Sequence, residues 1–198
     1  EQMRSRIASD LHDDVGSNLS SIALISSILE KKSKSEVELK KRLNDITRIA
    51  RSTAEEMSDI VWFVNPGNDN IKMLITKMRK TSNLMLDHLE CNFEVDEVNL
   101  SFSSNLNIRR NLYLIYKEIL QNIVKHSKAE KVNIILSRDE SIFKMKIKDD
   151  GIGFDANNNY AGNGLKNLHK RAIEINGNLM IRSNSVEGTT IELEVQIP

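Results

Sequence analysis

Five short stretches of this 198-residue chain place side chains at spacings that chemistry uses. In KEILQNIVKHS, Glu118, Asn122 and Lys125 recur at steps of four and three, which puts a carboxylate, an amide and an ammonium on one face of a helix, with His126 next to the last. In DDGIGFD, Asp149 ends a strand and precedes Gly151 and Gly153, where the lack of a side chain lets backbone approach a ligand. In GNGL, Gly162 and Gly164 open a helix ahead of Leu165, and a helix N-terminus suits phosphate. In GTTIELEV, Gly188, Thr189 and Thr190 begin the last strand. Finally, SDLHDDVGSNLS sets His12 beside Asp13 in an amphipathic helix. Neutral imidazole keeps a free lone pair near pH 7, its unperturbed pKa being about 6.5. When exposed, and with an acceptor on its other nitrogen, it is a nucleophile toward phosphorus. His12 follows Leu11 of the apolar stripe and so points about 100° away from it.

Singly, these stretches also read as a solvated helix face, a hairpin turn, helix punctuation and surface polar residues. Their order changes that reading. A helix bearing a carboxylate and an amide precedes two strands, an aspartate ends the second strand, and a glycine pair opens the next helix.

The elements that must position these residues follow from periodicity. Pro66, in VNPGNDN, is the strongest break and separates an all-helical front, 1–66, from a mixed back, 67–198. In the front, Met3, Ile7, Leu11, Val15, Leu19, Ile22, Ile25 and Leu29 form one stripe. After KKSKSE, a capping box of Ser35 and Glu38 opens a second helix. Its stripe, Leu39, Leu43, Ile46, Ala50, Thr53, Met57, Ile60 and Val64, alternates steps of four and three, the heptad rhythm of a bundle. A two-helix hairpin cannot bury both stripes alone, so pairing with a second copy into a four-helix bundle is expected, giving a homodimer.

The back predicts helices near 71–89, 107–126 and 165–175, and strands near 92–95, in KVNIILSR, IFKMKIKD and LMIRS, and in the final TTIELEVQIP. Phe143, Met145 and Ile147 alternate with Lys144, Lys146 and Lys148, and Ile191, Leu193, Val195 and Ile197 with Glu192, Glu194 and Gln196, so one sheet face is wet. The expectation is two domains, the helical hairpin followed by an α+β sandwich with a mixed sheet and helices on one face.

Composition narrows the classes. Lys+Arg and Asp+Glu each total 28, and zero net charge argues against a bulk grip on nucleic acid or anionic lipid. The single cysteine, Cys91, excludes an internal disulfide, fits a reducing compartment and is expected as a buried, inert thiol. No run of about 18 apolar residues predicts a membrane span, and no leader segment is expected. The chain starts in helical pattern at Glu1, as a piece of a longer protein would.

The ordered set from Glu118 to Thr189 resembles the ATP-binding domain shared by sensor histidine kinases, DNA gyrase and MutL, the Bergerat fold, over about Asn70 to Pro198. The resemblance implies that Asn122 coordinates Mg²⁺, that Glu118 orients that site or a water, and that Lys125 and His126 face the phosphates. It implies that Asp149 accepts from the adenine amino group with Thr189 assisting, and that Gly151 and Gly153 leave room for the base. Gly162 and Gly164 would hinge a lid over 155–161 and offer backbone N–H groups to phosphate, with Leu165 also binding the nucleotide. RIASDLHDDVGSNLSSI in turn is similar to the phosphoacceptor helix of the DesK/NarX-like sensor kinases, and MSDIVWFVNPGNDNI to their junction. That implies ATP-dependent phosphorylation of His12, with Asp13 taking the imidazole proton, then transfer to an aspartate of a response regulator, of a DNA-binding LuxR/NarL-like type. It also implies a bacterial protein with a cytoplasmic catalytic portion and a membrane anchor elsewhere. Ser17 stands where many relatives carry a glutamine that positions a dephosphorylating water, and its shorter reach predicts kinase and phosphotransfer activity over phosphatase activity. The rival readings are an ATPase or protein-serine kinase of the same fold with His12 structural, and a degenerate dimeric scaffold.

Overall fold

A computed structural model describes residues 18–26, 36–96, 105–154 and 163–197. The chain divides into two compact units, Glu1–Pro66 and Gly67–Pro198. His12, Asp13, Ser17, Ser35, the loop 155–161 and Gly162 lie outside the described residues.

In the first unit, the described residues 18–26 are helical, here α1, and helix α2 spans Glu36–Val64. The Asn18 amide donates to the Glu56 carboxylate at 3.5 Å, tying α1 to α2. The heptad stripe of α2 is split by its surroundings. Thr53 is buried and Leu39, Ile46 and Ile60 are half-buried, whereas Leu43 (49% exposed), Ala50 and Met57 (44% exposed) face solvent. Arg42, Ile49 and Glu56 are half-buried in their place. Two seams share the column Leu39, Ile46, Thr53 and Ile60, and only one of them is covered. On α1, Ile22 and Ile25 are half-buried while Leu19 and Leu24 are exposed.

The second unit begins with a 3₁₀ turn that overlaps the boundary, Pro66–Asn68, and continues with α3 (Ile71–Met85), β1 (Glu90–Val95), α4 (Leu106–Asn122), a π turn (Ile123–Ser127), β2 (Lys131–Asp139), β3 (Ile142–Asp149), α5 (Asn163–Glu174), β4 (Gly177–Asn184) and β5 (Gly188–Gln196). Asn70 and Asn105 cap α3 and α4, each side chain accepting from a backbone N–H three residues on at 2.9 Å. Helix α3 ends four residues earlier than its apolar pattern suggests: the Leu86 N–H makes a last α-type bond to the Ser82 carbonyl at 2.8 Å, and the Leu89 N–H then closes a turn through Asp87–His88 on the Leu86 carbonyl at 3.0 Å, leading into β1.

The sheet runs β1-β2-β3-β5-β4, with β1 parallel to β2 and the other pairs antiparallel. Strand alternation sorts its faces. Val132, Ile134, Leu136, Phe143, Met145, Ile147, Ile191, Leu193 and Val195 are buried on the inner face. They pack with helical residues such as Leu112, Tyr116, Ile119, Leu120 and Leu168 as the core of the unit. On the outer face the lysines of β3 meet the glutamates of β5, with Lys146 Nζ 2.8 Å from Glu192 Oε1 and Arg182 on the same carboxylate. Cys91 lies half-buried on β1, not fully buried as expected, and burial pushes its thiol pKa up, which disfavours the reactive thiolate.

Candidate functional site

The inner-face alternation of β3 does not stop at its apolar residues. After Phe143, Met145 and Ile147 the next inward position is Asp149, 4% exposed at the end of the strand. Across the sheet Asp149 registers with Thr189 of β5, which registers with Ser183 of β4. The apolar face therefore ends in a polar row of three. The Asp149 carboxylate accepts the Gly151 N–H at 3.0 Å and the Thr189 backbone N–H. Burial raises its pKa, and these two donors lower it by less. Ser183 Oγ lies 2.9 Å from Thr189 Oγ1 and accepts the Phe154 N–H at 2.8 Å.

The neighbouring carboxylate does something different. Asp150 Oδ1 accepts the N–H groups of Glu130 and Lys131, both at 2.9 Å. Those donors, the Lys131 N–H foremost, hold its pKa below the ordinary range. One aspartate of the pair fastens the loop, and the other is left with acceptor capacity in a dry place.

The glycines here admit protein backbone. A Cβ on Gly151 would lie 2.7 Å from Ser127 Cβ and 2.8 Å from Asp149 Oδ1, and the Ile152 N–H donates to the Ser127 carbonyl at 2.8 Å. Gly188 adopts φ +76° where a side chain would run into the Asp149 carbonyl, and Gly153 presses on the Asn184 carbonyl. The DxGxG loop is thus clamped between the end of the α4 segment and the start of β5.

The second part of the site is built by α4 and α5. Glu118 and Asn122 are half-buried one turn apart. Gly164, in the first turn of α5, lies against both: a Cβ there would be 2.5 Å from Glu118 Oε1, 3.5 Å from Asn122 Oδ1 and 3.6 Å from its Nδ2. Leu165 follows, half-buried. A helix N-terminus with its free N–H groups is set against a carboxylate and an amide. Their oxygens are the donor chemistry of a hard divalent cation that keeps water and phosphate ligands.

Lys125 and His126 lie on the π turn and are exposed. A π turn closes i→i+5 and holds more residues than an α turn. The step of three from Asn122 to Lys125 therefore does not keep the two side chains on one α-helical face. The structure brings Glu118, Asn122 and Gly164 together, and separately Asp149, Gly151, Gly188 and Thr189, with Ser127 joining the second group to the end of α4. The sequence reading overlooked Ser127, Asp150 and Ser183. Only Ser183 carried a signal, as the inward member of β4 after Leu179 and Ile181.

A mixed five-stranded sheet ending in a buried carboxylate, with a glycine-opened helix against a carboxylate and an amide, defines an ATPase-type domain, here preceded by a helical hairpin. Comparisons with known proteins agree. Residues 4–69 match the model described as histidine kinase (HisKA_3), and residues 107–198 match that of the histidine kinase-, DNA gyrase B- and HSP90-like ATPases. The chain belongs to the sensor histidine kinases, as a catalytic core of the DesK/NarX-like branch. It is 28% identical over 204 residues to the sensor histidine kinase LiaS of Bacillus subtilis, covering 98% of this chain and 54% of LiaS. It is 27% identical over 205 residues to the sensor protein VraS of Staphylococcus epidermidis, covering all of this chain and 56% of VraS. The chain thus spans about half the length of these relatives. In fold it is similar to the histidine kinase AdeS of Acinetobacter baumannii, with TM-score 0.60 and 16% identity over 94% of this chain and 98% of that one. Among the described residues no helix is long and apolar enough to cross a membrane.

Proposed function

We propose that this chain is the autophosphorylating core of a two-component sensor, in which ATP held by Gly67–Pro198 phosphorylates His12 and the phosphoryl group passes to an aspartate of a response regulator. The observation that carries this reading is the meeting of Gly164, Glu118 and Asn122 at the start of α5. Asp149, fixed by the Gly151 N–H, accepts from the adenine amino group, and Thr189 assists beside it. Gly151 and Gly153 shape the loop under the base, Gly162 and Gly164 offer backbone N–H groups to phosphate with Leu165 beside them in sequence, and Lys125 and His126 supply cations to the phosphates. Asn122 holds Mg²⁺ and Glu118 orients it or a water. Bound there, Mg²⁺ neutralises phosphate charge.

In the transfer, the lone pair on one His12 nitrogen forms a bond to the γ-phosphorus as the bond to the β,γ-bridging oxygen breaks, ADP leaves, and Asp13 takes the proton from the other ring nitrogen. The uncovered seam of α2, Leu43, Ala50 and Met57, with Leu19 and Leu24 of α1, supports a homodimer through a four-helix bundle. Light scattering that finds a monomer at high micromolar concentration would remove that part. The partner regulator is of the DNA-binding LuxR/NarL-like type, and the full-length protein is membrane-anchored.

The test is labelling with γ-labelled ATP and Mg²⁺. Acid-labile, base-stable label is expected on the wild-type chain and none on His12→Gln. Label that survives in His12→Gln would sink the histidine mechanism.

A further inference from the structure

We infer that Asp69 and Arg109 are positioning residues for phosphoryl transfer: they fasten the segment that follows Pro66 to the ATP unit, so that its nucleotide is presented from a fixed origin. The inference rests on the autokinase reading above. Asp69 lies in NPGNDN, a stretch to which the mechanism assigns no chemistry. Arg109 occupies the first turn of α4 and is 3% exposed, which an arginine tolerates only with its charge and donors engaged. Its Nη1 donates to the Asp69 carbonyl at 3.4 Å, and its Nη2 to the Asp69 carboxylate. One guanidinium fork thus takes the main chain and the side chain of a single residue, which fixes direction as well as place. The next residue, Asn70, caps α3, so the segment is pinned twice in succession.

The anchor is also continuous with the phosphate side. Arg109 is nine residues before Glu118, about 14 Å along one uninterrupted helix. From the same end of α4, Asn107 Nδ2 donates to the Glu174 carbonyl of α5 at 3.1 Å and Asn111 Nδ2 to Asn107 Oδ1 at 3.0 Å. Helix α5 is the element whose Gly164 meets Glu118 and Asn122. A displacement of the anchored segment is therefore a displacement relative to the phosphates. A misplacement of about 1 Å at the reacting atoms can already cost about 100-fold in rate.

The experiment compares wild type, Asp69→Ala and Arg109→Lys in the full chain. Asp69 is the safer site, since its side chain is 56% exposed. The expected result for Asp69→Ala is a rate of His12 phosphorylation at saturating ATP lowered about tenfold, with nucleotide affinity within about twofold of wild type. Arg109→Lys keeps the charge and loses the fork, so it should match Asp69→Ala, and the double variant should fall no further. An unchanged rate in Asp69→Ala overturns the inference. So does a lost rate that comes with an equal loss of nucleotide affinity, which is what a merely structural role gives. Failure of the wild type itself to label His12 would instead overturn the autokinase reading.

Discussion

The two sides of the proposed nucleotide site solve their positioning problem differently. The proposed base side is a row across three strands: Asp149, Thr189 and Ser183 stand level because β3, β5 and β4 are in register, and each shares its inward direction with the apolar residues of its own strand, which precede Asp149 and Ser183 and follow Thr189. The phosphate side is an encounter between two helices. Glu118 and Asn122 reach Gly164 only because α5 arrives there with no side chain. A sheet register is held by many bonds at once, whereas the helix encounter hangs on one missing methyl group. The base side should therefore govern affinity and the phosphate side the rate.

The variant with the largest expected effect is Gly164→Ala. Alanine is the better helix former by about 0.5–1 kcal/mol, so α5 itself should be no weaker. The new methyl would meet Glu118 Oε1 at 2.5 Å, and that oxygen ends a flexible side chain that can swing away. The fold survives and the cost falls on Glu118. Phosphorylation of His12 is expected to drop about 100-fold with little change in ATP affinity. Single-turnover labelling at saturating ATP checks it. An affinity loss with an intact rate would reverse the contrast between the two sides.

Next in size is Asp149→Asn. The amide keeps the shape but replaces a charged acceptor, which already takes the Gly151 N–H, with a weaker one. A hydrogen bond to a charged group is worth about 2 kcal/mol, so ATP affinity should fall about 30-fold. The saturated rate should hold within about twofold, since the reacting phosphorus lies on the other side. Calorimetric titration and labelling on the same preparation separate the two numbers.

That division also explains what was legible in the sequence. Asp149 was readable because Phe143, Met145 and Ile147 carry a period of two straight into it. Glu118 and Asn122 were readable from a single α-helical step. Lys125 was read with the same rule, but the chain changes helix type at Ile123, and periodicity carries no sign of that change. Ser127 and Asp150 act through backbone groups brought close only by the tertiary fold. On α2 the heptad pattern was right about the shared column Leu39, Ile46, Thr53 and Ile60. It was silent on which flank the same chain covers, since residues 42 and 43 lie equally well beside that column.

The smallest expected effect is the response of the base side to pH, and it has a distinctive sign. Burial raises the pKa of Asp149, and the N–H groups of Gly151 and Thr189 offset only part of that rise. A carboxylate whose pKa is raised on folding binds its proton more tightly in the folded chain. Its contribution to stability is present below the unfolded pKa and is lost as pH rises through the folded one. Base binding runs the other way, because the adenine amino group needs the ionised acceptor. On acidification through the raised pKa, the Asp149 contribution to stability should therefore increase while affinity for the base decreases. Adenosine is the suitable ligand, having no phosphate to titrate. Its affinity is expected to weaken at a higher pH than an ordinary aspartate would produce, and Asp149→Asn should flatten the profile. A wild-type profile as flat as that of Asp149→Asn would mean that the base does not bind on this carboxylate.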